Sequence, residues 1–261
     1  MKSRKDYQKL HMKKYRDEWK LFSVEGARLC REALHSGWPI EAAFCNESFF
    51  SFENNEIFAE QLKNIGIQVT LLKEDAFKRL ADTEHPQGIL LIVAIPVVNG
   101  PTQLNFSGNK LVLILDGIRD PGNMGTLIRS ADWFGVNLVI SSPDSVDYFN
   151  SKVVRASMGS IFHVKLSTSE NITETLLILK AQKFQIISTS LNSNKSLTDV
   201  RIQSPVALIL GGETAGVSHD RLKIADENIT ISGYGRAESL NVSVAGGILL
   251  QSLADEIFSH H

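Results

Sequence analysis

Apolar residues recur along this chain in two rhythms: helical spacing near 3.6 residues, and short unbroken runs of the kind that form buried strands. In the first hundred residues the rhythm predicts the order α-α-β-α-β-α-β. A helix over 24–36 is closed by Gly37, and a strand over 39–45 follows it. A helix over 57–65 stops at Gly66; strands over 67–72 and 88–95 then flank a helix over 74–80. From 96 to 109 the periodicity disappears, and two prolines, two glycines and three asparagines stand in its place. That composition marks a linker, here 97–109, between a domain over 1–96 and another over 110–261.

Beyond the linker the alternation becomes regular. Strands are predicted over 111–115, 137–141, 164–166, 184–190, 206–210 and 229–232. Helices are predicted over 124–134, 150–160, 173–182 and 240–258. Strands alternating with helices imply an α/β fold with a parallel sheet covered on both faces.

Composition narrows the class without naming a chemistry. The 261 residues are 43% hydrophobic and 21% charged, ordinary values for a globular protein. The most apolar run, 88–96, is too short to span a membrane and ends in proline. The first residues are polar and charged, without the apolar core of a signal peptide, which points to the cytoplasm. Cys30 and Cys45 fall within predicted helix and strand, so they read as two buried thiols; spacing and number give no metal site. Net charge is -2, yet eight basic side chains lie within residues 1–20 against three acids. Such an arm can neutralise nucleic-acid phosphates while the remaining surface stays acidic.

The candidate chemistry sits in three segments at successive strand ends. Residues 116–131 read Asp-Gly-Ile-Arg-Asp-Pro-Gly-Asn-Met-Gly-Thr-Leu-Ile-Arg-Ser-Ala, with Asn123 at a helix N-cap position and Arg129 six residues further on. Arginine's planar fork can hold a phosphate or an oxyanion in fixed orientation. Residues 210–218 read Leu-Gly-Gly-Glu-Thr-Ala-Gly-Val-Ser, which puts Glu213 just past a strand beside two glycines that admit close backbone approach. Residues 237–245 read Ala-Glu-Ser-Leu-Asn-Val-Ser-Val-Ala, where Ser239 can cap a helix whose first turn holds Asn241. Gly246 and Gly247 lie inside that helix, at roughly 1 kcal/mol each relative to alanine, a cost tolerated where another backbone or a ligand comes close.

In this order and spacing the three segments resemble the SpoU/TrmH branch of the SPOUT RNA methyltransferases. The resemblance covers residues 111–258, and a weaker one covers 22–28 and 83–89. It implies a SPOUT-type parallel sheet with a trefoil knot, plus a smaller N-terminal α/β/α substrate-binding domain. It also implies a homodimer and methyl transfer from S-adenosylmethionine to a ribose 2′-hydroxyl. Carried over residue by residue, Asn123, Arg129, Glu213, Ser239 and Asn241 become the catalytic set. Thr189, Gly211, Ile231 and Leu240 become the cofactor contacts, largely through backbone, and no metal is called for. One departure is local: Ile231-Ser-Gly233 stands where many relatives have Ile-Pro-Met. On this reading Arg129 holds a phosphate and polarises the hydroxyl, because an arginine is too basic to accept the proton itself.

The partner implied is structured RNA, ribosomal RNA ahead of transfer RNA. A non-catalytic RNA-binding or ribosome-assembly factor of the same fold is the alternative outside enzymology, opposed by the intact Arg129, Glu213 and Asn241. A doubly wound dehydrogenase is excluded, because no Gly-x-Gly-x-x-Gly follows any predicted strand.

Overall fold

The computed structural model describes residues 2–51, 55–96, 110–213 and 215–258; the expected linker lies outside them. The described residues form two compact units, one within Met1–Val97 plus Asp147–His163, the other within Val98–Val146 plus Val164–His261. The chain first builds α1 (Arg4–Tyr7), α2 (Lys13–Trp19), β1 (Leu21–Glu25), α3 (Ala27–His35) and β2 (Ile40–Cys45). It continues with α4 (Asn55–Asn64), β3 (Val69–Leu71), α5 (Glu74–Lys78) and β4 (Ile89–Ala94).

In this first unit β4 is central, with Ile89–Val93 buried, because an inner strand covered on both faces must be apolar throughout. It pairs antiparallel with β1, Phe22 opposite Val93, and with β2, Phe44 opposite Leu90. β3 adds on parallel to β2, giving the order β1-β4-β2-β3. One face packs Leu21, Ala42, Phe44, Leu90 and Ile92 beneath Tyr7, Leu10, Phe77 and Leu80. Helices α3 and α4 bury Leu29, Cys30, Phe58 and Leu62, which completes the expected α/β/α unit. Strand β1 went unanticipated, and the helix expected from residue 24 starts instead at Ala27. Five residues are too few for a period of two to declare itself, and it is pairing with β4 that makes them a strand.

The second unit contains β5 (Leu111–Asp116), α6 (Pro121–Trp133) and β6 (Leu138–Ser141). The short helix α7 (Ser151–Ala156) belongs to the first unit. Then follow β7 (Leu166–Thr168), α8 (Ile172–Ala181), β8 (Gln185–Thr189), β9 (Val206–Gly211), α9 (His219–Ile224), β10 (Glu227–Ile229) and α10 (Val242–Phe258). Six strands lie in the order β10-β8-β9-β5-β6-β7, every neighbouring pair parallel, as the strand–helix alternation requires. Val112, Ile114, Ile140, Ile186 and Ile209 bury one face against α8, with Leu222 and Ile224 of α9 packed on.

Helices α6 and α10 pack against each other. There the two helical glycines part company: a Cβ on Gly246 would overlap Leu127 and come within 2.8 Å of Leu210, whereas one on Gly247 would meet only the Ser130 hydroxyl at 3.9 Å. Close packing therefore accounts for Gly246 alone.

Residues 147–163 interrupt the stretch 110–261, because their aromatic rings belong to the first unit. Phe149 and Phe162 lie 4.9 and 6.2 Å from the Phe22 ring. Arg16, 3% exposed, donates from Nε at 2.8 Å to Asp147 Oδ2 and from Nη1 at 2.6 Å to the Leu10 carbonyl. One of the eight basic side chains near the N-terminus is thus a buried structural ion pair. Both cysteines are free and buried, and burial pushes the Cys45 thiol up to about 11. Among the described residues no helix is long and apolar enough to cross a membrane.

Candidate active site

The carboxyl ends of β5 and β9 lie side by side, Asp116 opposite Gly211, where open α/β sheets offer a ligand crevice. Asp120, not Asn123, caps α6: its carboxylate accepts the Asn123 amide at 2.8 Å, and Pro121 takes the first helical position. With the cap supplied by Asp120, the Asn123 side chain, 8% exposed, is released from capping. Its Nδ2 donates to Glu213 Oε1, and its Oδ1 accepts from Asn241 Nδ2 at 3.0 Å. Asn241 Nδ2 also lies 3.3 Å from the same Glu213 oxygen. Three side chains drawn from all three motifs, up to 118 residues apart, thus form one closed cluster.

Asn241 rather than Ser239 caps α10, accepting the Ser243 amide at 2.9 Å through Oδ1. The helix expected from residue 240 therefore starts at Val242, and Ser239 lies exposed in the loop before it. A single amide both starts the helix and braces Glu213. The two glycines before Glu213 are required by contact: a Cβ on Gly211 would collide with the backbone of Gly216 and Val217, and one on Gly212 with the Gly117 carbonyl. The backbone crosses itself here too closely for any side chain, and that crossing aims Glu213 toward Asn123.

Beside the cluster lies a cleft of about 300 Å³ whose walls include Asp116, Asn123, Asp144, Glu213, Ser218 and Arg221. Asp116, 4% exposed, pairs through Oδ1 with Arg221, while its Oδ2 has no partner among the described residues. The Ser142 hydroxyl, helped by the charges of Arg119 and Arg221, holds the Asp144 carboxyl below its usual range. Asp116 and Arg221 were not singled out from the sequence. Asp116 opens the first motif at a strand's carboxyl end, which was the available signal, whereas Arg221 sits on α9, a helix of six residues too short to show a period.

Arg129 stands apart from the cluster. Six residues place it about 120° around α6 from Asn123, and it is exposed, without hydrogen bond or ion pair among the described residues. Of the four expected cofactor contacts, Thr189 and Gly211 end the adjacent strands β8 and β9, and the Thr189 hydroxyl donates to the Ile209 carbonyl at 3.1 Å. Ile231, expected to end its strand, lies two residues beyond β10, which stops at Ile229 because Thr230 turns its amide to the Lys195 carbonyl. Leu240 precedes α10 and is exposed. None of the four lines the cleft; Thr189, Gly211 and Ile231 follow instead the carboxyl edge β10-β8-β9.

The sequence profile of the SpoU rRNA methylase family matches residues 110–251, and that of the MRM3-like substrate-binding domain matches 3–91. The chain belongs to the SpoU rRNA methylase family. As a SpoU protein it is an RNA methyltransferase that uses S-adenosylmethionine. Among its relatives is a protein of Bacillus subtilis named 23S rRNA (guanosine(2553)-2′-O)-methyltransferase, 34% identical over 95% of this chain and 94% of that one. A crystal structure of an S-adenosylmethionine-bound rRNA methyltransferase from Sinorhizobium meliloti superposes with a TM-score of 0.84 at 29% identity, covering 98% of this chain and 94% of that one. A TrmH-family protein from Porphyromonas gingivalis gives 0.81 at 30% identity, covering 97% and 98%.

The residues present suit the SpoU cofactor. Between Ile231 and Leu240 no amide donates to another backbone group among the described residues, so this run, which follows β10, offers free N–H and C=O groups. An adenine ring, which carries both donors and acceptors, can be read by such a run. Among the described residues no cluster of three or more His, Cys, Asp or Glu is arranged to hold a metal ion.

Proposed function

We propose that this protein methylates the 2′-hydroxyl of one ribose in ribosomal RNA, acting as a metal-independent homodimer in the cytoplasm. The observation that carries the reading is the closed cluster of Asn123, Glu213 and Asn241 at the strand ends. When bound, S-adenosylmethionine supplies a methyl group already activated by its sulfonium. What the protein must add is alignment and a better nucleophile. Gly211, Ile231 and Leu240 hold the cofactor through backbone groups, and Thr189 closes the edge of that site. Glu213, held by two amides, accepts the ribose hydroxyl, and Ser239 orients the sugar. Arg129, without internal partners among the described residues, grips the neighbouring phosphate and stabilises the developing alkoxide, while phosphate or water takes the proton. The trefoil knot expected of the family belongs to this proposal, and the crossing at Gly211 and Gly212 is in keeping with it.

Dimerisation is supported by apolar side chains on the two packed helices α6 and α10 that the second unit leaves in water. Trp133 is 84% exposed, and Val244 and Ile248, one turn apart on α10, are exposed as well. Arg129 stands one turn before Trp133, so a second subunit over these side chains reaches it.

Charge supports RNA as the partner. Residues 1–20 hold 8 basic and 3 acidic side chains of the chain's 27 and 29, a surplus of +5, leaving 19 against 26, or -7, elsewhere. Asp6 and Asp17 are occupied by Lys9 at 2.9 Å and Lys13 at 2.6 Å, which leaves Lys2, Arg4, Lys5, Lys14 and Lys20 without acidic partners among the described residues. The test is a ribose-methylation map of RNA from cells with and without the protein, repeated with purified protein and S-adenosylmethionine. Loss and restoration of one ribosomal site is expected; a site in transfer RNA, or none, would overturn the reading.

A further inference from the structure

The loop between β10 and α10 holds a feature that the catalytic assignment leaves unused. Residues 232–241 are exposed throughout, and Tyr234 is 98% exposed, the most exposed large hydrophobic side chain among the described residues. Gly233 and Gly235 flank it, each with open space where a side chain would be, so nothing crowds the ring from either neighbour and the backbone on both sides is conformationally permissive. Arg236 follows on the same exposed run. The loop is pinned at both ends, by the Thr230 amide on the Lys195 carbonyl at 2.8 Å and by Asn241 in the cluster. Tyr234 is seven residues from Asn241, so by chain length it lies no more than about 25 Å from the cluster, within a few nucleotides along a strand of RNA.

An uncovered ring with an exposed arginine two residues on is a combination that grips unpaired bases: the ring stacks on a base of any identity, and the cation meets a phosphate. We propose that Tyr234 stacks on an unpaired base beside the methylated nucleotide, with Arg236 on the adjoining phosphate. This rests on the RNA methyltransferase reading above. Stacking on a neighbouring base gives equal binding in ground and transition states, so it acts on KM for RNA and leaves kcat in place.

The experiment compares wild type, Tyr234→Ala and Tyr234→Phe on ribosomal RNA purified from cells lacking the protein. Steady-state methylation is measured alongside calorimetric titration with S-adenosylmethionine and sedimentation of each protein. The exposure of Tyr234 means that these variants keep the fold. For Tyr234→Ala, KM for RNA should rise roughly 5- to 150-fold, with kcat and cofactor affinity retained. Tyr234→Phe should stay near wild type, since the ring stacks and the hydroxyl does not. Unchanged KM in the alanine variant overturns the proposal. Weakened cofactor binding with KM for RNA unchanged would place the ring on the cofactor's adenine, and a shift to monomer would place it at a subunit interface; either also overturns it. Failure of the wild type to methylate this RNA would count against the functional reading instead.

Discussion

Asn123→Asp probes the cluster with almost no change in shape. It replaces the Nδ2 donor that meets Glu213 Oε1 with a carboxylate oxygen, while the oxygen that accepts from Asn241 at 3.0 Å is kept. Two carboxylates then face each other at hydrogen-bonding distance. At roughly 3 Å and an effective dielectric constant near 20 their repulsion is about 5 kcal/mol. Glu213 is exposed, and solvent screening reduces this to roughly 2 kcal/mol. Protonating either carboxyl removes the repulsion and restores a donor. The folded variant therefore binds more protons than its unfolded chain, and its stability falls as pH rises. The assay is urea unfolding of wild type and variant between pH 4 and pH 8, because a deficit of about 2 kcal/mol corresponds to a carboxyl held about 1.5 pH units above an ordinary one. The deficit should be small at the acidic end and grow to about 2 kcal/mol at the alkaline end, with single-turnover methylation failing in parallel. A deficit independent of pH, or absent at pH 8, would show that these side chains are not in contact and would remove the basis of the assigned site.

Arg129→Ala should slow single-turnover methyl transfer on the order of a hundred- to thousand-fold while calorimetric affinity for S-adenosylmethionine stays unchanged, and Arg129→Lys should rescue poorly for want of the planar fork. Gly246→Ala should cost about 1–3 kcal/mol in urea unfolding by overpacking Leu127 and Leu210, whereas Gly247→Ala should be neutral or stabilising by up to about 1 kcal/mol. Arg16→Met should lose about 3–5 kcal/mol by leaving Asp147 unpaired in a nearly buried position; a loss below about 1 kcal/mol would show that the pair does not hold residues 147–163 to the first unit.

The sequence alone determined the alternation of strands and helices, the class of the large sheet and the three motifs, because each is written in local periods and turn residues. It placed Asn123, Glu213 and Asn241 at strand ends, and the structure gathers these three. Tertiary structure decided what depends on partners distant in the chain. Strand β1 exists because β4 lies beside it, and residues 147–163 leave their sequence neighbours because Phe22 and Arg16 receive them. Which asparagine caps a helix and which is free for chemistry was also settled by geometry. Asp120 took the cap expected of Asn123, and Asn241 took the cap expected of Ser239. Local sequence offers several oxygens near each helix start; only the closed fold decides which of them a backbone amide reaches and which is left to face Glu213.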